Sequence, residues 1–349
     1  MKAALRQGPN NMACRTIGEP ELSENGVLVK ILHVGICGSD IARVRDNDPK
    51  WDNIVLGHEA VGVIEKISNS ASKKSVFKEG DKVAIIPLVP CQKCYFCKKG
   101  MYSSCTDYSF IGSRVNGALS EYLLVNFNNL IKLPDDEDIA KYTFLEPLSV
   151  AIHAIYRTDI KFGKSAMVFG AGTIGLLIFQ LLKNRTFSKV IIADIDEFKL
   201  DIASQLGSLH NINLVNESLD DYIKNNTDNN GVDDVFEVSG ANTAKKNAIH
   251  IVKPGGSIIL VGGSNNDINF DMKTFELITR KELKLTGSWM SYSSPFPGNE
   301  WLSGIKMLKE NLIDTKLLIT HRFKLEDIGG AFDMITRNTE KYCKVLVDI

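Results

Sequence analysis

Residues 165–175 read SAMVFGAGTIG, and this short stretch decides the fold of the second half of the chain. An apolar run of strand length leads directly into the pattern G-x-G-x-x-G at 170–175, and 173–183 then has helical length and apolar spacing. In this pattern the first glycine permits a tight turn, the second lets the backbone approach a pyrophosphate, and the third allows close helix–strand packing. Strand, turn and helix together predict a dinucleotide-binding turn. Its predicted cofactor-binding residues are Gly170, Gly172, Thr173, Ile174 and Gly175.

Strands and helices continue to alternate beyond the glycine turn. Strand candidates lie at 189–194, 233–238 and 257–262, and helical candidates lie at 197–206 and 242–252. Alternation of this kind calls for a parallel sheet with right-handed crossovers. We therefore predict an α/β fold with a doubly wound parallel sheet.

Asp194 ends the strand candidate that follows the glycine turn. An acidic residue about 20 positions beyond such a turn accepts hydrogen bonds from the adenosine ribose, and its charge repels a 2′-phosphate. No Arg follows it at 195–197, so the predicted cofactor is NAD rather than NADP. The alternative is that Asp194 only caps the helix that begins near Glu197. Ligands collect at the carboxyl ends of parallel strands, so further cofactor contacts are predicted at Val238, Gly240 and Val261.

The first 150 residues have a different character. Short β-branched runs at 27–34, 60–67, 82–87 and 119–125 are separated by Gly, Pro and Asn, which predicts a mostly antiparallel β-region. The last residues return to a mixed pattern, with helical candidates at 300–311 and 325–337 and a closing strand at 344–347.

Composition narrows the class of protein. The chain has 349 residues, which favours two domains, and its formal net charge of −1 gives no basic surface for nucleic acid. Its beginning lacks the apolar stretch of a signal peptide, and no apolar run has membrane-spanning length. We therefore expect a cytoplasmic protein with no nucleic-acid or membrane partner.

Four of the seven cysteines lie close together, at Cys91, Cys94, Cys97 and Cys105. Four soft thiolate ligands suit tetrahedral zinc and leave no open coordination position, which is typical of a structural site. An iron–sulfur cluster is the alternative, but the neighbouring Lys93, Lys98 and Lys99 indicate a charged surface lobe rather than an apolar electron relay.

A second metal site is predicted from residues that are far apart in the sequence. Cys37, His58 and Glu146 lie in separate segments, and a carboxylate in the apolar setting of Glu146 needs a cationic partner. Cys, His and Glu from three loops can form the open, three-ligand site that catalytic zinc requires. Glu59, adjacent to His58, is a candidate fourth ligand or an outer partner of the metal.

These motifs, in this order, resemble the zinc-containing medium-chain dehydrogenases over essentially the whole chain. The resemblance implies a Rossmann domain inserted in a mostly β, GroES-like catalytic domain. The expected division is 1–151 as the zinc domain, with a structural zinc lobe at about 88–108, then 152–284 for NAD, then a return to the catalytic domain at 285–349. Glu146, within the sequence EPLSV, is similar to the sorbitol dehydrogenase branch.

The resemblance also implies an activity, which is hydride transfer from a secondary alcohol of a polyol to NAD. It implies that Ser39 accepts or passes the proton and that Lys199 lies near the adenosine ribose and phosphate. Many relatives have a relay His where this chain has Ala42, so we expect the relay to run through Ser39, Glu59 and water. A homodimer or homotetramer is expected, with 283–287 as an edge strand.

The stretches 110–114, 287–295 and 297–301 resemble a branch of the family that acts on polyol phosphates. A phosphate needs a cation, for which Arg43, Arg114 and His321-Arg322 are candidates, and Arg114 is the first choice because it lies in one of these stretches. Unphosphorylated polyols, 2,3-butanediol and L-threonine remain alternative substrates. A nucleotide-binding protein without turnover is the alternative from another class.

Overall fold

The computed structural model describes residues 1–159, 161–184, 187–264 and 267–349. The chain forms two compact units, each built from separate segments. The first comprises Met1–Glu146, Tyr292–Asn311 and Leu318–Ile349, and the second comprises Pro147–Ser291 and Leu312–Leu317. The expected division into domains at 1–151, 152–284 and 285–349 stays a prediction.

Strands and helices occupy the described residues as follows. The strands are β1 Lys2–Arg6, β2 Met12–Thr16, β3 Gly26–Gly35, β4 Glu59–Ile67, β5 Lys82–Ile85, β6 Leu88–Val89, β7 Ser109–Phe110, β8 Tyr122–Asn126, β9 Leu130–Lys132, β10 Ser165–Phe169, β11 Lys189–Asp194, β12 Asn211–Asn213, β13 Val232–Glu237, β14 Val252–Leu260, β15 Lys284–Gly287, β16 Ile319–Lys324 and β17 Lys344–Asp348. The helices are α1 Gly38–Arg45, α2 Asn69–Lys74, α3 Tyr95–Lys98, α4 Leu145–Tyr156, α5 Thr173–Lys183, α6 Glu197–Gln205, α7 Leu219–Asn226, α8 Asn242–Ile251, α9 Met272–Arg280, α10 Asn299–Lys309 and α11 Ile328–Arg337.

The second unit contains a six-stranded parallel sheet in the order β12-β11-β10-β13-β14-β15. Strand order reverses between β10 and β13, as in doubly wound nucleotide-binding folds. Every residue of the central strand β10 is buried, which explains its continuous apolar run. The predicted α/β fold class with a doubly wound sheet is confirmed.

The first unit is built on a seven-stranded sheet in the order β16-β17-β3-β4-β5-β9, with β8 also pairing to β3. Its neighbours are antiparallel except β16 and β17, so the predicted antiparallel character is confirmed. Its core joins apolar residues of these strands to the buried face of α11, including Phe332 and Ile335. The long strand β3 lies at the centre of this sheet. It ends at Gly35, just before the candidate site begins.

The element boundaries differ from the predictions in a few places. The candidate at 119–125 begins as a strand only at Tyr122, because Ala118 and Leu119 donate instead to the carbonyls of Gly57 and Leu56. The candidate at 257–262 corresponds to β14, which begins already at Val252 and pairs with β13 through a register shift. Among the described helices, none combines the length and apolar character needed to cross a membrane.

Candidate active site

Sheet pairing brings the first two predicted ligands together. Strands β3 and β4 are antiparallel neighbours, and Gly35 at the end of β3 pairs with Glu59 at the start of β4. Cys37 follows the end of β3 and His58 precedes the start of β4. Both residues therefore lie at the same end of this pair of strands. Ligand atoms of Cys37, His58 and Glu59 lie within 4.8 Å of one another.

The loop around Cys37 is organised by the helix that follows it. Cys37 is the N-cap of α1, and its sulfur accepts a hydrogen bond from the Ser39 amide (3.5 Å). The Ser39 hydroxyl donates to the same sulfur (3.3 Å) and accepts from Arg43 Nη1 (2.9 Å). The Ser39 amide and hydroxyl thus orient the Cys37 sulfur, and a cysteine binds a metal through this atom.

His58 is buried and has an acidic partner that the sequence analysis did not assign. Its Nδ1 lies 3.5 Å from Oδ1 of Asp40, which is also buried. Burial alone would lower the pKa of His58, but the charges of Asp40 and Cys37 raise it well above its ordinary value. With Nδ1 directed at Asp40, Nε2 is the ring nitrogen left for a metal, and a carboxylate behind a ligating histidine is a common arrangement.

Glu59 makes an ion pair that the sequence analysis also missed. Lys344, at the start of β17, donates from Nζ to both carboxylate oxygens of Glu59 at 2.9 and 2.6 Å. Both side chains are almost completely buried. Strand β17 pairs with β3, which explains how a residue near the end of the chain reaches this centre.

Glu146, the second residue of α4, is in an environment that disfavours its charge. Burial raises its pKa to about 7; His58 and Lys344 oppose the rise, and Glu59 and Asp40 add to it. A buried carboxyl group that lies among other acids is stabilised as a carboxylate by a nearby divalent cation.

The donor set fits zinc. A thiolate, an imidazole and a carboxylate are borderline-soft ligands that suit this metal, and three protein ligands leave a position for substrate. Buried Oδ1 of Asp40 and Nδ1 of His58 lack good hydrogen bonds within the described chain. A metal on His58 would fix the ring against Asp40 and so stabilise both polar groups.

The four predicted structural ligands also come together. Their sulfur atoms lie within 4.8 Å of one another, and two of the separations are 4.0 Å for Cys91–Cys97 and 3.9 Å for Cys94–Cys105. A zinc ion with four Zn–S bonds of about 2.3 Å needs sulfur separations of roughly 3.8 Å. Amide donors, first from Cys97 and Thr106, lower the pKa of Cys94 to about 6, while burial raises the pKa of Cys97 to about 12. The lobe matches a closed structural zinc site.

In the second unit, the glycine turn has the geometry expected from its sequence. Gly170 has φ +101°, which favours glycine, and a Cβ at Gly175 would lie 1.8 Å from the Gly170 carbonyl oxygen. Gly172 is the N-cap of α5, and a Cβ there would meet open space. The helix N-terminus therefore has room for a phosphate above Gly172, and the fit to a dinucleotide is good.

Asp194 is held at the end of β11 by backbone donors. Its carboxylate accepts from the amides of Ala171 (2.6 Å), Ile195 (2.7 Å) and Asp196 (2.9 Å). These contacts bind it to the glycine turn, whereas the N-cap of α6 is Asp196. Lys199, in the first turns of α6, has no side-chain partner within the described residues.

The other predicted cofactor contacts lie at neighbouring strand ends. Gly240 has φ +75°, and a Cβ there would lie 2.0 Å from the Gly263 carbonyl oxygen, so the segments around Gly240 and Val261 pack closely. Glu237, which was not predicted, organises this edge. Its Oε1 accepts from the Ser239 hydroxyl (2.6 Å) and the Gly240 amide (2.8 Å). The sequence signal was an acidic residue at the end of a buried strand just before Val238.

The candidate phosphate-binding residues have different environments. Arg43 lies beside Ser39, with its guanidinium 5.4 Å from the centre of the Trp51 ring. Arg114 is exposed, stacks on Tyr108 at 3.8 Å and donates to the Tyr108 carbonyl. Arg322 donates to both carboxylate oxygens of Asp348 and His321 pairs with Glu340.

Both parts of the chain match models of known protein families. Residues 23–135 match the alcohol dehydrogenase GroES-like domain, and residues 173–308 match the zinc-binding dehydrogenase domain. The chain therefore belongs to the zinc-containing medium-chain alcohol dehydrogenase family, whose members include alcohol and polyol dehydrogenases. The GroES-like part and the Rossmann-like part expected from the sequence are both confirmed.

Particular relatives place it near the polyol enzymes. It is 36% identical to galactitol 1-phosphate 5-dehydrogenase of Escherichia coli (strain K12) over 320 residues, which is 91% of this chain and 92% of that protein. It is 30% identical to sorbitol dehydrogenase of Bacillus subtilis (strain 168) over 353 residues, covering 99% and 97%. The crystal structure of galactitol-1-phosphate dehydrogenase from Escherichia coli matches all of both chains with a TM-score of 0.94 and 34% identity.

Proposed function

We propose that this chain is an NAD-dependent dehydrogenase that oxidises a secondary hydroxyl of a polyol phosphate, with galactitol 1-phosphate to tagatose 6-phosphate as the leading reaction. The observation that carries the proposal is the cluster of Cys37 with the buried His58 and Glu59, together with the buried carboxyl of Glu146, on which the charges of His58 and Glu59 act. The similarity to galactitol 1-phosphate 5-dehydrogenase over 91% of the chain supports the substrate class.

Cys37, His58 and Glu146 would hold the catalytic zinc, with Glu59 as an exchangeable ligand or outer partner. When bound, zinc supplies Lewis acidity that lowers the pKa of the substrate hydroxyl, and NAD accepts the hydride. Ser39, hydrogen-bonded to the Cys37 sulfur, would relay the substrate's hydroxyl proton by taking it while passing its own proton on to water. Asp40 keeps the His58 ring oriented from its Nδ1 side.

Asp194 supports NAD rather than NADP as the cofactor. Its carboxylate is fixed beside the glycine turn by three amide donors, so its negative charge cannot easily turn away from a bound nucleotide. A 2′-phosphate would meet that charge, whereas ribose hydroxyls can donate to it. Lys199, Val238, Gly240 and Val261 remain proposed cofactor contacts, together with the glycine turn.

Two observations favour Arg43 over Arg114 for the substrate phosphate. Arg43 Nη1 donates to Ser39 and lies 3.5 Å from Oδ1 of Asp40, whereas its Nε and Nη2 make no hydrogen bond among the described residues. Those donors are available to a phosphate, and arginine can bind one through two parallel hydrogen bonds. Arg114 remains a second candidate, because its guanidinium is exposed on the face of Tyr108.

The subunit arrangement is also proposed from the family resemblance. We expect a homodimer or homotetramer in which the edge strand β15, with its half-exposed Leu285, pairs with a second copy. Light scattering on the purified protein gives the subunit number, and a monomeric mass would contradict this part of the proposal.

The test of function is a comparison of substrates by NADH formation. Galactitol 1-phosphate would be compared with galactitol, sorbitol, xylitol, 2,3-butanediol and L-threonine, each with NAD and with NADP. The proposal predicts the highest kcat/KM for galactitol 1-phosphate with NAD. Preference for a plain polyol or for threonine would reject the phosphate assignment but leave the oxidation chemistry, and preference for NADP would reject the role of Asp194.

A further inference from the structure

Lys344 is a buried cation at the proposed metal centre. Its Nζ donates to Oε1 and Oε2 of Glu59 and to the carbonyl oxygen of Ile36 (3.1 Å), the residue before Cys37. The side chains of Lys344 and Glu59 are 4% and 2% exposed. All three donors of this ammonium group are therefore used, and two of them hold one carboxylate.

Glu59 has two possible cationic partners. Its ligand atom lies within 4.8 Å of those of Cys37 and His58, which is close enough to share a metal with them. Both of its oxygens are nevertheless engaged by Lys344. A buried carboxylate that loses one partner must find another, because leaving it uncompensated is costly.

Gly35 makes room for the carboxylate in its present position. A Cβ on Gly35 would lie 2.3 Å from Oε2 of Glu59, and the two residues are paired across β3 and β4. The absence of a side chain at Gly35 and the charge of Lys344 thus favour the same orientation of Glu59, directed at β17.

We propose that Lys344 holds Glu59 away from the catalytic metal at rest, and so keeps the fourth coordination position free for substrate. Lys344 is a positioning residue that acts through Glu59, and the last strand of the fold sets the coordination number of the metal. The inference rests on the metal centre of the proposed function, but its test does not require turnover.

The test uses cobalt in place of zinc, because its visible absorption reports the number and type of ligands. The probe is azide, an anion that binds an open metal position. A Cys37→Ser variant that keeps the four-cysteine lobe provides the spectrum to subtract. In the native protein azide shifts the remaining bands. In Lys344→Met we expect Glu59 to take the open position, so azide binds at least about tenfold more weakly.

Two control variants separate this role from a general loss of structure. Lys344→Arg keeps the charge and should respond to azide like the native protein. Lys344→Met combined with Glu59→Gln removes the competing carboxylate and should regain the azide response. A native-like azide affinity in folded Lys344→Met overturns the inference.

Glu59→Gln alone provides a test that does not depend on the folding of Lys344→Met. If Glu59 is held off the metal at rest, this variant keeps the resting cobalt spectrum of the native protein. A changed resting spectrum means that Glu59 is already a ligand, which overturns the inference. If native and Cys37→Ser cobalt proteins have the same spectrum, the metal centre itself is wrong, and the proposed function fails with it.

Discussion

The four-cysteine lobe and the centre around Cys37 are both candidate metal sites, but they differ in the type of ligands that they offer and in the charged residues around them. The lobe offers four cysteine sulfur atoms from residues 91–105, all within 4.8 Å of one another. The Cys91–Cys97 and Cys94–Cys105 sulfur separations are 4.0 and 3.9 Å. The other centre offers a thiol, an imidazole and carboxyl groups, and it adds Asp40 and Lys344 as charged partners.

Two such sites in one chain separate the stability of the fold from the chemistry of the reaction. Four identical soft ligands fill a tetrahedron and exclude substrate, so a metal there can only stabilise the lobe. Three mixed ligands leave one coordination position of the metal open for substrate. The charged residues around them influence which groups bind the metal.

Removing a ligand from the open centre should abolish activity without unfolding the protein. For Cys37→Ser and for Glu146→Ala we expect kcat/KM to fall by about a thousandfold or more, roughly 4 kcal/mol of transition-state stabilisation. NADH titration should show that the nucleotide site is intact. Cys14→Ser is the matched control, since Cys14 lies outside both clusters. Substantial turnover in either ligand variant would reject the catalytic assignment.

Removing a ligand from the lobe should lower the stability of the protein and leave most of its activity intact. Cys94→Ser is expected to lower the free energy of unfolding by about 3 kcal/mol, because a structural metal contributes its binding energy to folding. Thermal unfolding measures this loss, and the protein that remains folded should keep most of its activity per molecule. An unchanged melting temperature would show that the lobe does not depend on a metal.

Asp40 provides a finer test of the open centre, because its carboxylate lies behind the ligand His58. Asp40→Asn keeps the size of the side chain but removes the charge facing His58. Metal affinity, measured by competition with a chelator, should fall by about 10- to 100-fold. An unchanged affinity would mean that Asp40 does not orient His58.

The smallest expected effect is a change in KM when the proposed phosphate-binding residue Arg43 is replaced. Arg43→Gln should raise KM for galactitol 1-phosphate about tenfold, roughly 1.4 kcal/mol, and change KM for plain galactitol much less. Arg114→Gln is the matched comparison. A selective loss in Arg114→Gln instead would transfer the phosphate-binding role to Arg114.

The two regions also differ in how far the sequence predicts them. The lobe and the glycine turn are local, so cysteine spacing indicated Cys91–Cys105, and the glycine pattern with its neighbouring strand and helix indicated Gly170–Gly175. The open centre depends on sheet pairing, and Lys344 reaches Glu59 across 285 positions of chain. No local pattern marks such a residue. Asp40 lies three positions after the predicted ligand Cys37, yet its role became visible only when α1 directed its side chain at His58.

Graded removal of zinc separates a catalytic metal from a structural one in a single experiment. The zinc content per chain, NADH formation from galactitol 1-phosphate and thermal stability would be followed together during treatment with a chelator, and again after zinc is restored. We predict that activity disappears with the first zinc lost, while stability is kept until the second is lost. Activity that survives the loss of both metals, or activity and stability that fall together with a single metal, would contradict this prediction.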